Sequence, residues 1–143
     1  RSSRVLEPRV LAARARALLG AHLARAPREN PFARYRARFA ADVAQLTTEP
    51  SEVFHEYAFA TVRQFGAAFE LAGSYLGWLA EHGDTAAEAA RAPAEQIASL
   101  AKTLQFKAAR AVMLKRAAEF EGLFDGLQTA WEGVYQPLRG AYG

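Results

Sequence analysis

The spacing of apolar residues is the feature that most restricts what this chain can fold into. Along most of its 143 residues they recur every three or four positions, which is the period of a helix with one buried face. No stretch shows the alternation of apolar and polar residues that is typical of a strand. The sequence therefore predicts an all-α fold, an antiparallel helical bundle of four principal helices plus a basic N-terminal helix.

Residues that start or stop helices divide this pattern into segments. Asn30 can cap free backbone amides and Pro31 suits the first position of a helix. The alanine-rich stretch 85–92 ends at Pro93, so we expect a connector there rather than part of a helix. The predicted helices are 8–25, 31–46, 52–81, 94–116 and one from about 118. Residues 1–29 are expected to form a basic arm, and residues 30–143 the bundle domain.

The charges are distributed unevenly along the chain. Residues 1–38 contain ten arginines and two glutamates, whereas the remainder contains eight basic and thirteen acidic residues. A basic arm of this kind can attract an acidic protein, nucleic acid or its own acidic body, because the long-range field does not distinguish them. The residues expected to dock a partner are Arg28, Arg34, Arg36 and Arg38.

Ionisable residues occur on helix faces that are otherwise apolar or small. Glu56, Arg63 and Glu70 follow one another at intervals of seven residues, and Lys107 and Arg110 lie on the next predicted long helix. A buried charge is costly unless an opposite charge or a hydrogen-bond acceptor meets it. We therefore expect these five residues to form a buried ion-pair network. The alternatives are a polar pocket for a ligand with an anionic group, and plain solvent exposure.

Small residues on the predicted helix 52–81 indicate a close helix contact. Gly66 and Gly73 border a side that is rich in alanine, serine and glycine. Because such residues leave little side-chain bulk, the backbone of another helix can approach there. The predicted helix that begins at residue 94 has apolar residues on almost all of its sides, which favours a central position in the bundle.

The search for catalytic motifs mostly excludes reaction classes. The chain has no cysteine, and His55-Glu56 is followed by Phe59 where a zinc-protease helix needs its second histidine. No nucleophile elbow, phosphate-binding glycine loop or dinucleotide motif is present. We therefore expect no metal and no cofactor, and whether the chain is an enzyme stays open. The uncharged run 71–80 is too short for a bilayer helix, which favours a cytoplasmic protein without membrane contact.

Three stretches of the sequence resemble a known bacterial family. Residues 30–39 (NPFARYRARF), 54–72 (FHEYAFATVRQFGAAFELA) and 104–110 (LQFKAAR) are similar in order and spacing to the C-terminal helical part of the domain-of-unknown-function family 1839, DUF1839. The resemblance implies that the chain is the C-terminal portion of a longer protein. The positions matching the polar pattern of that family are His55, Glu56, Arg63, Gln64, Glu70, Gln105, Lys107 and Arg110.

The same resemblance implies a role in bacterial specialised metabolism, beside aminoacyl-synthetase-like enzymes that load an amino acid onto a carrier protein. We therefore expect an accessory domain that positions a carrier-bound aminoacyl or acyl group, or docks the acidic carrier protein or the missing N-terminal domain. Any transferase activity would require that N-terminal part. The alternatives are a non-catalytic interaction or homo-oligomerisation module, and nucleic-acid binding through the arginine-rich arm.

Overall fold

The computed structural model describes residues 7–142, which are helical and contain no strand. The helices, in chain order, are α1 (Pro8–Arg25), α2 (Pro31–Leu46), α3 (Ser51–Ala60), α4 (Val62–Glu81), α5 (Thr85–Leu114) and α6 (Glu121–Tyr142). The predicted all-α class is confirmed. The helix boundaries differ from the prediction in two places, Thr61 and Pro93.

Helix α5 is the centre of the packing. It lies between α4 and α6 and also contacts α2 and α3, while α1 lies against α4 and α6. Its buried face meets an aromatic cluster in which Phe39 is fully buried and stacks edge-on against Phe120 with ring centroids 5.2 Å apart. Trp131 and Phe124 extend this core along α6. The central position expected for this helix is therefore what the structure shows.

The predicted helix 52–81 is interrupted at Thr61. This residue has φ −122° and ψ −81°, outside the helical region. Its hydroxyl donates a hydrogen bond to the carbonyl of Tyr57 at 2.8 Å, which is the competition between side chain and backbone that disturbs helices at threonine. The single long helix was therefore wrong, and two helices, α3 and α4, meet at this residue.

Pro93 does not end a helix, so the expected connector at 85–92 was also wrong. The side chain of Asp84 accepts a hydrogen bond from the amide of Ala87 at 2.9 Å and so caps the start of α5. A Cβ added to Gly133 would lie 3.0 Å from Cγ of Pro93, so α6 packs closely against the proline ring. Ala90 and Ala94, one on each side of Pro93 in the sequence, are fully buried, and their packing stabilises the helix despite the lost backbone hydrogen bond.

The close contact predicted for the small-residue face of α4 is confirmed, and its partner is α5. A Cβ added to Gly66 would lie 3.0 Å from Cβ of Ala101, and one added to Gly73 would lie 3.0 Å from Cγ of Glu95. The two helices are antiparallel, since the later glycine faces the earlier residue of α5. Glycine at these positions lets the helix axes approach each other.

Helix α1 is fixed to the bundle by polar contacts at its middle. Tyr75 donates a hydrogen bond to the carbonyl of Ala15 at 2.7 Å, and Arg16 reaches Asp84 at 3.2 Å. On the apolar side of α1, Leu19 is buried whereas Leu18 is 70% exposed.

Candidate functional site

The predicted polar network is not buried. Within the set of eight family-pattern residues only Gln105 is half-buried, and the exposed ones are His55, Glu56, Arg63, Gln64, Glu70, Lys107 and Arg110. The buried ion-pair network was therefore wrong. Whether any of these residues binds a ligand stays a prediction.

The register of α4 against α5 explains why Glu70 does not meet Lys107. Glu70 instead pairs with Lys102 at 3.4 Å on the surface. Lys107 is five residues further along α5, roughly 140° around the helix from Lys102. Its ammonium donates to the carbonyl of Glu119 and lies 5.6 Å from the ring centre of Phe120.

A small cleft of about 190 Å³ between α4 and α5 brings some of the predicted residues together. Arg63, Glu70 and Gln105 line it, and Lys102 joins them. The guanidinium of Arg63 lies 5.5 Å from the ring centre of Phe59. The other predicted residues do not line this cleft: His55, Glu56, Gln64, Lys107 and Arg110.

A larger groove lies between α1, α4 and α6, and sequence reasoning missed it. Its volume is about 600 Å³ and its lining is mainly aliphatic and aromatic. Leu18 stands on one rim and Leu71 on the opposite rim, exposed by 70% and 73%. A sequence signal for it is the pair Leu18 and Leu19, because adjacent residues lie about 100° apart and the pair widens the apolar side of α1.

The residues predicted to dock a partner divide into two groups. Arg28, Arg34 and Arg38 are exposed. Among the described residues, the carboxylate within reach of Arg34 is that of Glu29, 4.0 Å away, and the Arg34 side chain is 89% exposed. Arg36 points to the other side of α2 and is held there by α6, and whether any of the four arginines docks a partner stays a prediction.

Arg36 joins α2 to α6. Its guanidinium donates to Asp125 at 2.8 Å and to Glu121 at 2.6 Å, and it also contacts Gln128. The hydrogen bond with Asp125 raises the pKa of Arg36 above its ordinary value, against the opposing effect of burial. The arginine-rich stretch 1–38 therefore contacts the acidic remainder of the chain at this residue of α2.

Asp84 connects three helices and is the buried charged residue among residues 7–142. It caps α5, accepts a hydrogen bond from Arg16 of α1 and contacts the hydroxyl of Tyr142 in α6. Burial by itself would raise the pKa of this carboxyl, but hydrogen bonds from Tyr142, the Ala87 amide and Arg16 outweigh it and hold the pKa below its usual value. These contacts hold α1 and α6 against the start of α5.

A second polar cluster lies beneath α2. Tyr57 donates to Asp42 at 3.0 Å, and the hydroxyl of Tyr35 is buried without a hydrogen-bond partner among the described residues. Burial, followed by the neighbouring Tyr35 and Asp42, raises the pKa of Tyr57 above its ordinary value. The protonated hydroxyl of Tyr57 can thus donate its hydrogen bond to Asp42 and join α3 to α2.

Comparison with known proteins identifies the family. A model of the DUF1839 C-terminal domain matches residues 8–140. The chain belongs to the DUF1839 family. The match begins with α1, so the basic helix is part of this DUF1839 domain, whereas the resemblance noted above started at residue 30. No curated protein and no solved structure matches.

Within residues 7–142, no group of three or more histidines and carboxylates could hold a metal ion. None of the helices in this part of the chain is long and apolar enough to cross a bilayer.

Proposed function

We propose that this DUF1839 domain is an accessory domain that docks an acidic carrier protein of bacterial specialised metabolism, in the cytoplasm. The carrier would present an aminoacyl or acyl group, and the domain would hold it for a catalytic partner. The observation that carries the proposal is the group of exposed arginines, Arg28, Arg34 and Arg38, on the α1–α2 side of the molecule. The choice of a carrier as partner is what the family resemblance implies.

The connection between α1 and α2 is held in a fixed position, which supports a docking role for its cations. Arg139 of α6 donates hydrogen bonds to the carbonyls of Pro27 and Arg28. The same guanidinium lies 5.5 Å from the ring centre of Trp131. Arg28 is therefore presented at the surface from a backbone that α6 supports.

The exposed cations of α2 lie on one face. Arg34 and Arg38 are four residues apart, so they are neighbours on the same side of the helix. No carboxylate within residues 7–142 lies within 4.0 Å of Arg38, and Arg34 has only the long contact with Glu29. Complementary surface charge mainly accelerates association and selects the partner.

Charge reversal tests the proposal directly. The double variant Arg34→Glu/Arg38→Glu should reduce binding of a purified bacterial acyl carrier protein at least tenfold at low salt, measured by surface plasmon resonance. Arg116→Glu is the control, because Arg116 is an exposed arginine after the end of α5. Equal binding by the double variant and the control would contradict the proposal.

Nucleic acid is a different outcome of the same experiment. If the exposed arginines bind nucleic acid, a DNA duplex of random sequence should bind to the domain. Its affinity should fall steeply between low and physiological salt. Tight DNA binding that Arg34→Glu/Arg38→Glu abolishes, without carrier binding by the unaltered domain, would replace the carrier with nucleic acid.

A second candidate is self-association through α5. Phe106 and Met113 are seven residues apart on its outer face and are 81% and 72% exposed. Such a pair suits a contact with a second copy of the chain. Light scattering should then show a dimer that Phe106→Ser/Met113→Ser converts to a monomer. A monomer at all concentrations of the unaltered domain would exclude it.

A further inference from the structure

The groove between α1, α4 and α6 has the size and lining of a ligand site. Its volume of about 600 Å³ falls within the range of roughly 300–1,000 Å³ that is usual for small-molecule pockets. Three helices supply its walls, with Leu19 from α1, Phe69 and Tyr75 from α4, and Leu138 from α6. The hydroxyl of Tyr75 is already bonded to the carbonyl of Ala15, so it offers the groove mainly its ring.

The charged groups next to the groove are arginines of α1. Within residues 7–142 no carboxylate lines the groove, and His22 is among its lining residues. Arg14 precedes Leu18 by four residues and Arg25 follows His22 by three, so both arginines share the helix face that carries the groove wall. Both are exposed, and neither has a carboxylate of residues 7–142 within 4.0 Å.

The wall from α6 carries a further cation. The guanidinium of Arg139 lies 5.4 Å from the ring centre of Tyr135, and that ring lines the groove. A ligand that combines a long apolar body with a negative group would use both the apolar walls and the neighbouring arginines. A neutral apolar molecule would use the walls but not the cations, and a small anion would leave Leu18 and Leu71 exposed.

We propose that this groove binds one long-chain fatty acid, with its alkyl chain between α1 and α4 and its carboxylate beside Arg14 or Arg25. The chain would cover the two rim leucines. The site is separate from the docking surface of Arg28, Arg34 and Arg38, so the proposal does not depend on carrier docking. A measurement with free fatty acid and no carrier protein separates the two.

Titration calorimetry with laurate, myristate and palmitate, each below its micelle concentration, tests the site. The affinity should rise with chain length, by up to about fourfold for each buried methylene, until the groove is filled. The arginines should matter only for the charged ligand. Arg14→Glu/Arg25→Glu should therefore weaken laurate binding several-fold and leave binding of 1-dodecanol unchanged.

Two variants that place a charge on an exposed apolar residue locate the ligand. Leu71→Asp should weaken palmitate binding at least tenfold, whereas Phe106→Asp, on the outer face of α5, should not change it. Both residues are exposed, so the fold should tolerate both changes, and circular dichroism checks this. Ala68 is an exposed residue of the groove wall, so the indole of Ala68→Trp should occupy the groove and weaken palmitate binding as well.

Several results would overturn the proposal. One is the absence of binding to any of the three fatty acids, and another is binding that Leu71→Asp and Ala68→Trp leave unchanged. A third is a dimer of the unaltered domain that Leu71→Asp dissociates, because a second copy would then occupy the groove. Binding to phosphatidylglycerol vesicles without binding of monomeric fatty acid would assign the groove to a lipid surface instead.

Discussion

Arg16 in α1 and Asp84 at the start of α5 form an ion pair, with Nε of the arginine 3.2 Å from Oδ2 of the carboxylate. The same arginine donates to the carbonyl of His82 at 3.1 Å. Because the carboxylate also caps α5, this pair connects the basic N-terminal helix to the start of the central helix. The pair therefore helps to position α1, which supplies one wall of the groove.

Replacing Asp84 with asparagine should destabilise the domain at pH 7. The change removes the charge that Arg16 meets and weakens the cap of α5, for which we expect a loss of about 1–2 kcal/mol in the free energy of unfolding. Urea denaturation measures it. Glu88→Gln is the control, because Glu88 is in the first turn of the same helix but exposed. Equal losses in the two variants would contradict the role of Asp84.

The contribution of Asp84 should depend on pH in the acid range. Its pKa is lowered in the folded state, so its stabilising effect is complete above the unfolded pKa of about 3.9 and is lost as the pH falls through the folded pKa. The difference in stability between the unaltered domain and Asp84→Asn should therefore shrink below about pH 4. A difference that stays constant from pH 7 to pH 2.5 would contradict this.

Replacing each of two helical glycines with alanine should change the stability of the domain in opposite directions. Gly66→Ala should destabilise the domain, because the new methyl group meets Cβ of Ala101, which cannot move without its helix. Gly20→Ala has nothing within 4 Å of the added atom and should stabilise α1 by roughly 0.5–1 kcal/mol. Thermal unfolding of both variants checks this. Stabilisation by Gly66→Ala would show that the two helices can separate at no cost.

Two arginines of α2 should differ in their effect on stability. Arg36→Ala should lower Tm more than Arg34→Ala, because Arg36 contacts three side chains of α6 whereas the Arg34 side chain is largely in solvent. The additional loss in Tm caused by Arg36→Ala should diminish at high salt, because Glu121 and Asp125 are themselves largely exposed. If the two variants melt together, Arg36 does not hold α2 to α6.

Lys107→Met should have little effect on folding. The ammonium is exposed and bonds a carbonyl rather than a buried carboxylate, so we expect a change below about 1 kcal/mol. A buried ion pair losing one partner would instead cost several kcal/mol. Chemical denaturation distinguishes these values, with Lys102→Met as a second exposed lysine of α5. A loss of several kcal/mol in the free energy of unfolding for Lys107→Met, but not for Lys102→Met, would instead support a buried ion pair at Lys107.

The sequence predicts the helices of this domain better than their interruptions. Residues 31–46 form a helix as predicted, with the amide of Phe32 bonded to the side chain of Asn30 at 3.1 Å. The break at Thr61 depends on a local hydrogen bond, and the continuation through Pro93 depends on packing against α6. Neither is visible in the period of the apolar residues.

The candidate site could be predicted only in part, because periodicity gives the face of a residue but not the register between helices. Glu70 and Lys107 lie on adjacent helices as expected, yet Glu70 meets Lys102. The groove arises where three helices meet, and no single segment encodes it. Arg36 could not be separated from Arg34 and Arg38 by charge alone, since its partners come from α6.

Amide chemical-shift mapping tests the central claim most directly. On addition of an acyl carrier protein to the labelled domain, the account predicts that the largest shifts fall between Arg28 and Arg38. The outer face of α5 around Phe106 should be unaffected. The absence of shifts, or shifts confined to the outer face of α5, would contradict carrier docking by the α1–α2 surface.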